Sequence, residues 1–486
     1  MKRLIEHIKQ LSFYDTIRHG SLYMFSYVAI QAMMVFTLPV FTKLLSPSDF
    51  GVYEVFNNTV RILGIVFSLN LFNGLYRFYF DEQIDNSPLV KFVLSTSLVF
   101  FVIFSGCIFL FKDTLMSFLN IPESLFIWLL IGVFSNIVLN LFNTYNNAQL
   151  KSTRSGIWQF FIQFFRVMAA IGFVVYFFKD YRGRILGENI ILLIISFILL
   201  FFYFRKYLLF KGDSLAMPFK KAVLKYSISF IPIGLSGFAL GYLDTIMINS
   251  YKGSNDAGLY SYAYKIAIIY TGITTAFVTA NRPRLFSLMN DNKENEVIAQ
   301  MRSMFKLIVA LSCFFIFFSA DGGRLLALNK SFHAGLYLMP ILILSYVFND
   351  LNELYCFYFH YEKKVKYFYF SFAVAAIINL ILNILLIPKY GYVAAAYTTL
   401  ISYGFMLIST YIICKYFLTV KVPAVIRFLD FILIILVALI INYLINTWIL
   451  SVWLQIALKL FVFCSILLYL WRNIVARIFY PRKNHY

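Results

Sequence analysis

Charge is what this sequence has least of. Only 13% of its 486 residues are Asp, Glu, Lys or Arg, about half the ~25% usual in a soluble domain. That deficit, with a mean hydropathy of +0.78, excludes a single apolar core wrapped in a polar shell. Most side chains must face lipid, where only helices or closed barrels satisfy the backbone. Barrel strands are alternating segments of about ten residues. The apolar runs here last about twenty, the length a helix needs to cross ~30 Å of hydrocarbon. The expected class is an all-α polytopic membrane protein.

Cysteine and histidine are scarce too. Cys107, Cys313, Cys356, Cys414 and Cys464 sit singly in apolar runs, which excludes a disulfide framework or a zinc site by pattern. The five histidines (His7, His19, His333, His360, His485) are scattered. No GxxxxGK[ST] and no HExxH occurs, so neither a built-in ATPase nor a zinc protease is expected. A membrane glycosyltransferase or polymerase would need a long loop with clustered carboxylates, and there is none. A cleavable signal peptide is not expected either, because the first apolar run is too long and follows about twenty polar residues.

What is abundant is positive charge, 42 Lys+Arg against 22 Asp+Glu, a net +20. In a soluble protein this would suggest nucleic acid. Here the positive-inside rule accounts for it. Apolar runs predict fourteen spans: 21–43, 52–76, 89–112, 124–146, 155–178, 188–205, 223–250, 257–279, 302–320, 335–359, 366–388, 392–414, 426–447 and 452–471. The N-terminus, every second loop and the tail hold 29 of the 42 basic residues, and the other loops hold nine. Both termini are therefore expected in the cytoplasm. The loop Lys179–Arg184 runs against the rule.

The expected organisation is an amphipathic cytoplasmic stretch at 1–20, a first lobe at 21–205 and a cytoplasmic linker at 206–222. A second lobe follows at 223–414, then two further helices and a basic tail at 415–486. An internal repeat supports the two lobes. Asp49, Gly51 and Tyr53 recur as Asp256, Gly258 and Tyr260 at an offset of 207, and Arg18 maps onto Lys225. Asn140 and Asn143 recur as Asn349 and Asn352 at an offset of 209. Both halves start on the same side, so the repeat is parallel, and substrate paths in such proteins lie between halves.

Polar residues inside spans are expensive, and they face a cavity or a partner. Helical spacing puts Glu54, Asn57, Asn58 and Arg61 on one stripe, and Asn136, Asn140, Asn143 and Asn147 on another. Gln159, Gln163 and Arg166 share the fifth span. Asp244 lies in the seventh, Lys265 in the eighth, and Asn349, Asp350, Asn352 and Glu353 in the tenth. Such stripes also serve as interhelical glue at about 0.6 kcal/mol per bond, and for the asparagines the two readings stand level. Asp244 with Lys265, and Glu54 with Lys43, can be read as structural pairs. Arg61 and Arg166 fall mid-span with no evident acidic partner, and a planar guanidinium suits phosphate. Arg61, Arg166 and Lys265 are thus the candidates for a cationic cavity that holds an anionic substrate. The lining candidates are Asn57, Asn58, Asn140, Asn143, Gln159, Gln163, Asn349 and Asn352. A scaffold role would leave the mid-span arginines without a reason.

Several stretches resemble the polysaccharide transporter family, that of the Wzx O-antigen and capsule flippases. These are Leu38–Tyr53 (LPVFTKLLSPSDFGVY), Tyr226–Gly234 (YSISFIPIG) leading to Asp244, Ala257–Lys265 (AGLYSYAYK), and Asn379–Gly391 (NLILNILLIPKYG) followed by Ala394–Ala396. The family is part of the MOP superfamily, which also holds the multidrug and toxin extruders (MATE) and the lipid II flippases. The resemblance covers nearly the whole chain. It implies two related six-helix lobes in a V, with two added C-terminal helices, that alternate access around a central cavity in the bacterial inner membrane. The implied cargo is an undecaprenyl-pyrophosphate-linked oligosaccharide. Membrane lipid and assembly proteins such as the polymerase are the implied partners, with no nucleic acid and no cofactor. Relatives couple to H+ or Na+, for which Asp244, Glu54, Asp350 and Glu353 are candidates. The rival is a multidrug extruder, which an acidic cavity would favour.

Overall fold

The computed structural model describes residues 32–33, 35–81, 85–212, 214–420, 422, 428–449 and 451–479, without the side chains of 152, 153 and 472–479. The N-terminal amphipathic stretch and the end of the basic tail lie outside the described residues. Every regular element among those described is helical. Among the described residues twelve helices are long and apolar enough to cross a membrane, and a bent pair makes thirteen. Of the first expected span, the described part is the apolar helix α1 (Val35–Leu44).

The chain packs as two units. The first comprises residues 1–258 with 327–331, and the second comprises 259–326 with 332–486. The seventh span, which the repeat assigns to the second half, packs within the first unit. Repeat and packing divide the chain at different places because one reflects sequence similarity and the other contact.

In the first unit α2 (Pro47–Phe67) starts at a capping box: Ser46 Oγ accepts from the Asp49 amide, and the Asp49 side chain accepts from the Ser46 amide. The expected span 52–76 is broken. After α2 the backbone of Leu69 and Asn70 turns left-handed (φ 49° and 55°), and α3 (Leu71–Phe78) leaves at 57°. Ser68 Oγ donates to the Gly64 carbonyl at 2.7 Å, beside the Ser68 amide's own bond to that carbonyl at 3.2 Å. Continuous hydropathy gives no sign of this bend. The unit continues with α4 (Asn86–Leu110), α5 (Lys112–Leu119), α6 (Phe126–Ala148), α7 (Ser152–Tyr176), α8 (Tyr181–Ile198), a π-helical turn at Leu199–Phe204 and α9 (Arg205–Leu208). The seventh span runs through α10 (Met217–Ser229), α11 (Ile231–Phe238), a second π-turn at Ala239–Leu243 and α12 (Asp244–Lys252).

The second unit holds most of α13 (Ser254–Asn290), then α14 (Glu294–Leu326), α15 (Met339–Tyr361), α16 (Val365–Tyr390), α17 (Tyr392–Phe417), α18 (Leu429–Trp448) and α19 (Val452–Phe479). The eighth and ninth spans are longer than expected. Residues 280–301, read from polarity as a loop, continue both helices into a hairpin, because polar residues form helix readily once hydrogen bonds are intrahelical.

The two added helices are fastened to α14 at both of its ends. Arg302 pairs with Asp430 of α18 at 2.7 Å and lies over the Phe431 ring. Nineteen residues on, Asp321 pairs with Lys459 of α19 at 2.7 Å, and Phe314 and Phe318 pack against Phe463, tilted and edge-on, between the two pairs. Lys459 is 1% exposed, so its ammonium depends on Asp321. We expect Asp321→Ala to strand that charge and cost roughly 3 kcal/mol, with Asp321→Ala/Lys459→Met recovering most of it. Thermal unfolding of the detergent-purified variants checks both.

Candidate functional site

The densest polar cluster of the first unit forms where α7, α8 and α2 meet. Its basis is the close approach of α7 and α8. Gly183 and Gly187, four residues apart, leave room for backbone: a Cβ on Gly187 would lie 2.7 Å from the Ala169 carbonyl oxygen, and one on Gly183 2.8 Å from Val174 Cα. Such small-xxx-small pairs are the usual means of close helix contact in membranes. Asp180 caps α8 by accepting from the Arg182 amide at 2.8 Å and pairs with the Arg182 guanidinium. Partial burial works against its charge, but these bonds hold its carboxyl below the usual range.

The helix so placed carries Glu188, 5% exposed, to Arg166 of α7. Arg166 Nε donates to Glu188 Oε2 at 2.6 Å, and Nη2 pairs with the same oxygen. Tyr53 donates its hydroxyl to both Glu188 oxygens at 2.8 and 2.9 Å. Arg184 reaches Oε1 at 3.4 Å. Its guanidinium lies 3.5 Å from the Tyr53 ring centroid and 3.9 Å from that of Phe41. Arg184 Nη1 is buried with no hydrogen-bond partner. One carboxylate thus serves two guanidiniums, and a second buried carboxylate, Glu54, acts on the same Tyr53.

Two sequence expectations are corrected here. Arg166 does have an acidic partner, Glu188, which sits at the first residue of the expected sixth span and was not counted as internal. Arg184 is not on a loop, because α8 begins at Tyr181, and its basic charge is matched by Glu188 and aromatic faces. A loop census cannot see either compensation. The i,i+4 pairs Gly183/Gly187 and Arg184/Glu188 were the available signals.

Adjacent asparagines of α2 link this cluster to a second one. Asn57 accepts a long bond (3.4 Å) from Arg166 Nη2. Asn58, buried, donates at 3.5 Å to the Tyr242 carbonyl in the π-turn of the seventh span. One turn further along α2, exposed Arg61 lies over the Tyr242 ring, 4.7 Å from its centroid. Among the described residues Arg61 forms no ion pair. Tyr242 was not singled out in the sequence, since one tyrosine among 35 carries no signal before the π-turn is known.

The remaining candidates divide as follows. Asn140 donates to Asn136 at 2.8 Å within α6. Asn143 accepts from Ser155 of α7 at 3.3 Å, and Gln159 donates to Ser155 at 3.1 Å, so these residues join α6 to α7. Gln163 is partly buried on α7. Glu54 and Asp244 are buried in the first unit. Lys265 lies on α13 in the second unit, partly buried. There Asp350 is buried and accepts from Tyr270 Oη at 2.7 Å and Thr274 Oγ1 at 3.1 Å. Glu353 pairs with Arg282 at 2.6 Å, a basic residue that the loop reading had set outside the span. Asn349 lies partly buried on α15, and Asn352, buried one turn of helix before Cys356, donates to its sulfur at 3.6 Å.

Comparison with known proteins follows the same line. No curated protein matches the sequence. Among solved structures, the lipid II flippase MurJ in an inward closed conformation is similar over 94% of this chain and 100% of its own, at 14% identity and a TM-score of 0.69. An inward-facing multidrug resistance MATE transporter of the MOP superfamily is similar over 82% and 96%, at 12% identity and a TM-score of 0.56. A MOP superfamily transporter from Pyrococcus furiosus, described by a binding pocket of reverse polarity, gives 82%, 94%, 12% and 0.53. The fold is therefore that of MurJ and the MATE transporters. The model of a sequence family described as polysaccharide biosynthesis protein matches residues 17–289, more than half the chain. This multi-pass membrane protein belongs to the polysaccharide biosynthesis protein family.

Proposed function

We propose that the chain is a flippase that moves undecaprenyl-pyrophosphate-linked oligosaccharide repeat units from the cytoplasmic to the outer leaflet of the bacterial inner membrane. The cargo serves O-antigen, capsule or another surface polysaccharide. Both termini lie in the cytoplasm on this reading, as the basic loop bias requires. The observation that carries the proposal is Arg61, an exposed guanidinium on a spanning helix with no ion pair among the described residues. An exposed mid-span arginine is tolerated where it faces water or an anion, and a pyrophosphate offers the oxygens its fork fits. Family membership supplies the polysaccharide context. Within the first unit Arg166 and the polar stripe of α2 are the further candidates for the anion's path, and within the second unit Lys265 and the polar stripe of α15 are the candidates there. Asp350, buried and held by the hydroxyls of Tyr270 and Thr274, is the first of the four carboxylates to examine for H+ or Na+ coupling, ahead of Asp244, Glu54 and Glu353. No cofactor is required, and the polymerase that receives the repeat unit is the expected neighbour.

The test is lipid-linked oligosaccharide in cells lacking the protein, measured by mass spectrometry beside surface polysaccharide. Accumulated undecaprenyl-linked repeat units with loss of surface polymer are expected, and Arg61→Ala is expected to reproduce both when correctly inserted. Unchanged lipid intermediates with intact polymer would turn the reading toward drug extrusion.

A further inference from the structure

The exposed guanidinium of Arg61 does not hang free. It lies over a ring that belongs to one of the two π-turns among the described residues, and that tyrosine is itself held at two points, ring and backbone. Phe238 packs on Tyr242 with centroids 5.9 Å apart, and Asn58 bonds the Tyr242 carbonyl from α2. π-Turns inside helices are uncommon and gather at functional positions. This one inserts an extra residue per turn and so resets which side chains of the seventh span face α2.

We infer that Tyr242 is a positioning residue for Arg61, fixing its guanidinium so that an anionic headgroup meets a fork that is already oriented. This rests on the reading above, in which Arg61 takes the phosphates of the cargo. Stacking occupies the flat face of a guanidinium and leaves the in-plane N–H groups for two phosphate oxygens. An arginine with free rotamers must lose them on binding, and one held on a ring loses fewer. The carbonyl bond from Asn58, on the same helix as Arg61 and three residues before it, ties the ring's backbone to the helix that bears the guanidinium.

The experiment measures binding of undecaprenyl pyrophosphate to the full-length protein in detergent, in a double-mutant cycle. Tyr242→Leu is expected to weaken binding about fivefold, the effect of losing a partly exposed cation–π contact. Tyr242→Phe, which keeps the ring, is expected to restore it to within about twofold. In an Arg61→Ala background, Tyr242→Leu is expected to change binding by less than about twofold. An equal loss in both backgrounds would mean that Tyr242 acts on the fold or on the ligand directly, and overturns the inference.

A second readout needs no ligand. The rate at which phenylglyoxal modifies Arg61, followed by peptide mass spectrometry, is expected to rise about threefold in Tyr242→Leu and to stay near wild type in Tyr242→Phe. Equal rates in all three proteins overturn the inference. If wild type binds no undecaprenyl pyrophosphate, the functional reading fails, and the modification rates decide the role of Tyr242. Should Tyr242→Leu not accumulate, Tyr242→Met carries both measurements.

Discussion

Gly51→Ala and Gly258→Ala are each expected to destabilise the protein, by roughly 2 kcal/mol or about 5 °C in melting temperature, although alanine is the better helix former. The reason is a backbone contact. A Cβ on Gly51 would lie 1.9 Å from the Ser254 carbonyl oxygen, and a Cβ on Gly258 1.8 Å from that of Pro47. Neither obstacle is a side chain that can swing away, so the starts of α2 and α13 would have to separate. Ser48 and Ser254 add a hydroxyl–hydroxyl bond at the same place. The control is the same substitution where nothing lies within 4 Å, at Gly106, Gly172 or Gly272. There alanine is expected to be neutral or to stabilise by up to about 1 kcal/mol. Melting curves of the five single variants in one detergent check the contrast. Equal shifts at crowded and open sites would mean that helix propensity, and not contact, governs these positions.

This contact also shows what the sequence had made legible. The recurrence of Asp, Gly and Tyr at 49, 51 and 53 and again at 256, 258 and 260 reads as a duplication. It does not reveal that the two copies meet. In the first unit they do, and reciprocally: Gly51 faces the carbonyl of Ser254, and Gly258 faces that of Pro47, residues that also correspond at the offset of 207. The helical class and nearly every span were readable because bilayer thickness writes itself into run length. The break after Phe67, the π-turns and the hairpin of α13 and α14 were not. The first two leave hydropathy unchanged and are decided by backbone geometry, and the third is polar sequence in which the helices continue past the apolar run. The candidate site was half legible. Arg61 and Arg166 stood out as lone charges, whereas Glu188 lay at the edge of an assumed span and Arg184 in an assumed loop. Counting charges by span hides a pair that straddles a boundary.

Glu188→Ala is expected to be among the most damaging single substitutions in the first unit, costing about 3–5 kcal/mol. In the intact protein one carboxylate accepts from Arg166, Arg184 and Tyr53. Its removal leaves two guanidiniums without the carboxylate they share, one of them already short of a partner at Nη1 among the described residues. Arg166→Ala removes a cation and leaves Glu188 paired with Arg184, so the cluster becomes neutral and the loss is smaller. Arg184→Ala likewise leaves the shorter Arg166 bonds intact. Arg166→Ala/Glu188→Ala restores the original net charge and is expected to fold better than Glu188→Ala alone, a sign that charge balance and not the carboxylate's bulk is the requirement. Tyr53→Phe removes two hydroxyl bonds to Glu188 without changing charge, for about 1–2 kcal/mol. Folded yield and melting temperature by size-exclusion fluorescence rank the series. A protein with Glu188→Ala that accumulates and melts like wild type would show that the two arginines find other compensation.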